Sequence, residues 1–192
     1  MAKSIKGTKT EKRLLESFAG ESQARMRYAY FASKAKKEGF EQISAVFAEI
    51  ADNEKEHAKR FFKFLEGGNL EITGTFPAGI INNTVENLRL SAAGENEEHS
   101  KIYPEAAKIA DEEGFPEIAE CFRRISIAEK HHETRYLKLL SNLESGKVFK
   151  KNITVKWRCR NCGYVYESKE ALEKCPACLH PKAYMEELTD NF

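Results

Sequence analysis

Ile43-Ser-Ala-Val-Phe47-Ala-Glu-Ile50-Ala-Asp-Asn-Glu54-Lys-Glu-His57-Ala-Lys-Arg-Phe61 is the stretch on which the fold turns. Its apolar residues Ile43, Phe47, Ile50, Phe61 and, beyond, Phe64 step by three or four, the period of one helix face. Glu54 and His57 fall on that same face, between residues that demand burial. A charged pair inside an apolar stripe needs a chemical reason, because an unpaired carboxylate is costly to bury.

The same pattern returns 75 residues later as Ile118, Phe122, Ile125, Glu129, His132, Tyr136 and Leu139. Glu38-Gly39-Phe40 recurs as Glu113-Gly114-Phe115 at the same offset, while Ala19-Gly20-Glu21 recurs as Ala93-Gly94-Glu95 at an offset of 74. Residues 8–66 and 82–145 are therefore two copies of one unit, each a helical hairpin with a glycine break in its middle. Pro116 and Gly67-Gly68 are ordinary helix start and stop signals. Residues 67–82 are too long for a tight turn and suit a crossover between hairpins. The expected body is a mainly α, four-helix bundle.

Composition agrees. Among 192 residues only 11 are Gly and 5 Pro, while 32% are charged, a mix expected of long amphipathic helices. Lys plus Arg number 31 against 30 Asp plus Glu, a net charge of +1 that gives no electrostatic reason to expect a nucleic acid or an anionic membrane. No stretch approaches the roughly 18 apolar residues of a membrane span, and the start carries no secretory pattern, so a cytoplasmic location is expected. From Lys151 the pattern changes to β-favouring residues around paired cysteines, giving an expected division into residues 1–150 and 151–192. About 40 residues bury too little surface to fold without a staple.

Glu21, Glu54, Glu95 and Glu129 all fall on stripes facing the bundle interior. Glu-x-x-His at residues 54–57 and 129–132 puts both side chains on one face about a turn apart, and Glu21 and Glu95 add one carboxylate from each remaining helix. Glu98 supplies a fifth. Five carboxylates and two neutral histidines carry −5, which two divalent cations reduce to about −1. Mixed oxygen and nitrogen ligands suit iron or manganese better than zinc or calcium. Without metal the crowded carboxylates are expected to keep protons, so loading should release them. His99, His131 and His180 do not share this register and read as surface or edge residues, and Cys121 reads as a buried, inert thiol.

Tyr28 lies seven residues after Glu21, placed to hydrogen-bond a ligand carboxylate, whereas its counterpart Tyr103 lies eight after Glu95. The extra residue is followed at once by Pro104, which lacks a backbone donor. A one-residue π-bulge between residues 95 and 104 absorbs both and would re-aim Glu98 toward the metals.

Cys159-x-x-Cys162 and Cys175-x-x-Cys178, twelve residues apart, form two knuckles whose thiolates can close a tetrahedron around zinc or iron. Lys156, Arg158 and Arg160 beside them are balanced by acidic neighbours and read as solvated edges. The segments Trp157-Arg-Cys-Arg-Asn-Cys-Gly-Tyr-Val-Tyr166 and Cys175-Pro-Ala-Cys178 resemble rubredoxin knuckles, except that Leu179 stands where rubredoxins have Gly.

Together with Ala19-Gly-Glu-Ser-Gln-Ala24, Phe61-Phe-Lys-Phe-Leu-Glu-Gly-Gly68 and Phe76-Pro-Ala-Gly-Ile80, the whole pattern is similar to the rubrerythrin family, over residues 4–192. That resemblance implies a ferritin-like bundle with a non-haem di-iron site, and a rubredoxin-like module whose Cys159, Cys162, Cys175 and Cys178 bind one further iron. It implies a peroxidase reducing hydrogen peroxide to water in an anaerobic or microaerophilic microbe, fed through the four-cysteine iron by an external donor such as rubredoxin and an NAD(P)H-dependent reductase. It also implies a homodimer. Glu54 and Glu129 would bridge the irons, Glu21, Glu95 and His132 would be terminal ligands, His57 and Glu98 would alternate on one iron, and Tyr28 and Tyr103 would orient carboxylates. A ferroxidase or iron-handling protein, and a zinc-stapled binding protein, are the rival expectations.

Overall fold

The computed structural model describes residues 3–189; the ends of the two expected units, 1–2 and 190–192, lie outside it. Two hairpins form the body. The first is α1 (Lys9–Lys37) and α2 (Glu41–Phe62). The second is α3 (Thr84–Glu97), a π-turn (Glu98–Ile102) and α4 (Tyr103–Glu112) running as one rod, followed by α5 (Pro116–Glu144). Residues 63–83 cross between them without regular structure. No helix is long and apolar enough to cross a membrane among the described residues.

Local chemistry sets the helix ends. The Thr8 hydroxyl and the Asn83 side chain cap α1 and α3 by accepting from the N–H groups of Glu11 and Glu86. Each hairpin turns at Gly39 or Gly114, whose φ of +84° and +77° is the left-handed conformation that closes a helix C-terminus. The glutamate before each glycine ties the hairpins together. Glu38 accepts from the Thr84 N–H at 2.8 Å and Glu113 from the Thr10 N–H at 2.8 Å, so each turn caps the opening of the other hairpin.

The stripes face inward as expected, with one shift: α5 buries Leu140, while Leu139 is only partly covered. A helix of 3.6 residues per turn drifts around its axis, and by the fifth turn the inward position has moved on by one. The core divides into two apolar layers. One holds Tyr28, Phe31, Phe47, Ile50 and Tyr136; the other holds Leu14, Phe61, Tyr103, Phe122 and Ile125. Between them lie the buried carboxylates.

The C-terminal module is a three-stranded antiparallel sheet, in the order β2 (Val165–Glu170), β1 (Lys150–Cys159), β3 (Met185–Glu187). Trp157 fills its small core, with its indole N–H donating to the Ser168 carbonyl at 3.0 Å. Phe149 stacks on Phe40 at 6.2 Å and so seats the module against the turn of the first hairpin.

Candidate metal centres

In the bundle, Glu21, Glu54, Glu95 and Glu129 are all buried, although each is a carboxylate. Their ligand atoms and those of the two histidines fall into two groups, Glu21–Glu54–His57–Glu129 and Glu54–Glu95–Glu129–His132. Within each group all atoms lie within 4.8 Å of one another. Glu54 and Glu129 belong to both groups, and the two imidazole rings lie 5.9 Å apart.

The unpartnered atoms show how these residues fit a metal pair. Both carboxylate oxygens of Glu54 and of Glu129 are buried without a hydrogen-bond partner, as are Nδ1 of His57 and of His132. Glu21 and Glu95 each leave one oxygen unpartnered, because the other is taken: the Tyr103 hydroxyl donates to Glu21 and the Tyr28 hydroxyl to Glu95 at 2.6 Å. The tyrosines cross over, each serving the glutamate of the opposite hairpin. His57 Nδ1 comes within 2.9 Å of both Glu54 and Glu129, and His132 Nδ1 within 2.8 Å of Glu129, but without the alignment of a hydrogen bond. Buried polar atoms are nearly always satisfied. Eight such atoms converging on two points, six oxygens and two nitrogens, are the donor set of two cations that share two carboxylates.

The metal-free electrostatics agree. Burial and the neighbouring carboxylates, Glu129 first among them, hold Glu21 well above the usual carboxylate range. Burial likewise pushes Glu95 up to about 8. Burial disfavours the imidazolium of His57, yet Glu129 and Glu54 outweigh it and push its pKa up to about 9; the same contest takes His132 to about 12. Glu129 ends below its ordinary value because both histidines outweigh its burial.

Glu98 joins neither group. The π-turn predicted from the offset is present, spanning Glu98–Ile102, but here it places Glu98, half-buried, in the wall of a cavity of about 340 Å³ beneath the crossover. Gly20, Arg27, Phe76, Gly94 and Tyr103 also line this cavity. Burial and then the charge of Glu95 hold the Glu98 carboxyl well above its ordinary range, against Arg27.

Several contacts escape the sequence pattern. Tyr136 reads as one more apolar step of the stripe, yet its buried hydroxyl lacks a partner; its position seven residues after Glu129, like Tyr28 after Glu21, was the available signal. His99 is not a plain edge residue but meets Glu133 at 2.7 Å. Cys121 is only half-buried, and burial pushes its thiol up against the pull of Arg60.

In the small module, Cys159 Sγ lies 3.7 Å from Cys178 Sγ, and Cys162 Sγ lies 3.7 Å from Cys175 Sγ. Four sulfurs held about 2.3 Å from one tetrahedral ion sit about 3.8 Å apart, so the cluster is sized for a metal and not for a disulfide. The N–H of His180 holds the Cys178 thiol down to about 6. Both knuckles close alike, Gly163 N–H donating to the Cys159 carbonyl at 2.8 Å and Leu179 N–H to the Cys175 carbonyl at 2.9 Å. Gly163 adopts φ +78° freely, whereas Leu179 is held at φ +63°, a conformation costly for a side chain. Arg158 and Arg160 are exposed, as expected, and the acidic neighbour that balances both is Glu186, which is itself buried, so their charge is spent locally.

Comparison with known proteins accords with both centres. The rubrerythrin family model matches residues 12–140, and that of the rubrerythrin rubredoxin-like domain matches residues 157–186. The chain is 62% identical to the rubrerythrin of Porphyromonas gingivalis, covering 100% of this chain and 96% of that one. It is 58% identical to the rubrerythrin of Nitratidesulfovibrio vulgaris, covering 99% and 100%. Among solved structures, fully reduced, all-ferrous nigerythrin aligns with a TM-score of 0.63 at 29% identity, over 96% of this chain and 92% of that one. With its carboxylate–histidine centre matching the family's di-iron site and its four cysteines matching the rubredoxin-like site, this chain belongs to the rubrerythrin family.

Proposed function

We propose that the protein is a hydrogen peroxide reductase, fed with electrons through its four-cysteine iron site. The observation that carries this reading is the pairing of a two-ion carboxylate centre, with a protonatable Glu98 at its cavity, and an electron-carrier site on one chain. A ferroxidase gains little from a fused electron carrier.

In this reading Glu54 and Glu129, with both oxygens free and a place in both groups, would be shared by two ions, while Glu21 and His57 would hold one and Glu95 and His132 the other. Bound iron supplies the electrons, two at the carboxylate centre for the O–O bond and one at a time from the four-cysteine site to replace them. The remaining steps belong to the chain. Tyr103 and Tyr28 each hold one oxygen of Glu21 and Glu95, which fixes the other toward the metal. Reducing one peroxide to two waters consumes two protons, and Glu98, whose carboxyl burial holds well above its ordinary range, is placed to give one beside the cavity through which peroxide arrives. In its charged form it would be available to hold an ion in place of His57. The two apolar layers keep bulk water from the centre.

The partners proposed are hydrogen peroxide, an external donor such as rubredoxin with an NAD(P)H-dependent reductase, and a second copy of the chain, in a cytoplasmic setting. Single-turnover oxidation of the reduced protein tests the reading. Peroxide should react much faster than oxygen in wild type, and Glu98→Ala should lose that preference. Equal rates with both oxidants in both proteins would overturn it.

A further inference from the structure

The π-turn creates a backbone problem at His99. In an α-helix a carbonyl accepts from the N–H four residues on, and in a π-turn from the one five residues on. The Tyr103 N–H donates to the Glu98 carbonyl, so it is not spent on His99. The next donor along the chain belongs to residue 104, a proline, which has none. One register shift and one proline thus strip the His99 carbonyl of both helical partners.

A side chain from another helix fills the gap. Ser126 Oγ on α5 donates to the His99 carbonyl at 3.1 Å. Helical serines commonly bond back to their own helix, and this one instead reaches across. A second tie joins the same elements: His99 Nε2 meets Glu133 Oε2 at 2.7 Å, and Asn96 donates to the other Glu133 oxygen at 2.9 Å. Ser126 and Glu133 bracket Glu129 and His132 on α5.

We propose that the Ser126 hydroxyl is a positioning group that replaces the backbone donor missing at Pro104, locking the π-turn to α5 and so fixing where Glu98 stands relative to Glu129 and His132. The role of Glu98 in turnover rests on the peroxidase reading. The backbone lock does not, and two measurements separate them.

The first is amide exchange at Tyr103 in the metal-free full-length protein. Ser126→Ala should speed it about tenfold, because a partly buried carbonyl loses its donor and the turn opens more easily. Ser126→Thr keeps the hydroxyl and should stay near wild type. Pro104→Ala returns an N–H, so in the double variant Ser126→Ala should lose most of its effect. Unchanged exchange in Ser126→Ala, or the same change with and without Pro104, would overturn the lock.

The second is single-turnover oxidation of the iron-loaded protein by peroxide. Ser126→Ala should slow it about tenfold while still binding two ferrous ions in the bundle, and should add nothing in a Glu98→Ala background. Faster exchange with an unaltered peroxide rate would uphold the lock and overturn its positioning of Glu98, whose own role is judged by Glu98→Ala.

Discussion

Loading the bundle of the metal-free protein with two ferrous ions at pH 7 is expected to expel about three protons. Glu95, His57 and His132 hold pKa values of about 8, 9 and 12 and so keep their protons at pH 7, while Glu21 is held well above the usual carboxylate range. Two of the three are imidazolium ions, whose charge offsets part of the carboxylate charge around them. Two ferrous ions bring +4 and displace these protons, so most of the added charge leaves again. The exchange limits the change of charge in a buried site, which a low-dielectric interior demands.

Both the magnitude and the sign follow from that exchange. Each proton released adds one power of ten per pH unit to the two-ion association constant, so near pH 7 the loading free energy should grow by about 4 kcal/mol per pH unit. The slope should fall as pH passes about 8 and about 9, where Glu95 and His57 give up theirs. All four groups are raised above their ordinary values of 4.5 and 6.5, so protonation stabilises the metal-free fold. That contribution is complete below pH 4.5 for the glutamates and below 6.5 for the histidines. It is lost as pH rises through the folded values, so the metal-free bundle should melt lower at pH 9 than at pH 6, and the loaded one should not. Anaerobic calorimetry at pH 7 in two buffers of different ionisation enthalpy, with the four-cysteine site already filled, counts the protons directly. Release of fewer than two would refute the charge-for-charge argument.

Three further outcomes are expected. Tyr103→Phe removes the hydroxyl from Glu21 and should weaken one ferrous ion by about 10- to 100-fold in a stepwise titration, whereas equal weakening of both ions would show that Tyr103 does not serve Glu21 alone. Cys162→Ser should leave the bundle loaded and competent for a single turnover but unable to turn over with an external donor, and undiminished steady-state activity would contradict the relay. Leu179→Gly relieves the +63° φ at the second knuckle and should stabilise the iron-loaded module by up to about 1 kcal/mol after the entropy glycine adds to the unfolded chain, read as a higher urea midpoint; a lower midpoint would mean the leucine side chain contributes more than its backbone costs.

What the sequence made legible is what periodicity and burial can encode. Glu54, His57, Glu129 and His132 were readable because they interrupt apolar stripes at matching positions of a repeat, and the π-turn because an offset changed from 74 to 75 just before a proline. What stayed hidden depends on partners from other elements. Nothing along the chain says that Tyr28 serves Glu95 and Tyr103 serves Glu21, that Glu38 and Glu113 cap the opposite hairpins, or that Arg158 and Arg160 are consumed by Glu186. Each depends on which helix faces which, and local propensity carries none of that information. Glu98 is the sharpest case: its chain position marked it as special, but whether it points at the ions or into the cavity depends on the turn that carries it.

Duplication explains the pairing of the ions, and its one flaw explains why they differ. Two identical hairpins facing each other across a two-fold axis would build two equivalent pockets, each with its glutamate, its Glu-x-x-His pair and its crossed tyrosine, as the two groups here nearly do. Equivalent pockets would give a substrate no preferred end. The single added residue in the second copy breaks the tie. It forces the π-turn, brings in Glu98 without a counterpart, and does so where the wall opens onto the cavity beside Gly20 and Gly94. Of the seven carboxylate and histidine candidates, Glu98 alone lines that cavity, so a small oxidant entering there meets its carboxyl group before it meets any member of the two ligand groups. The symmetric part of the sequence holds the charge, and the asymmetric part decides from which side it is used.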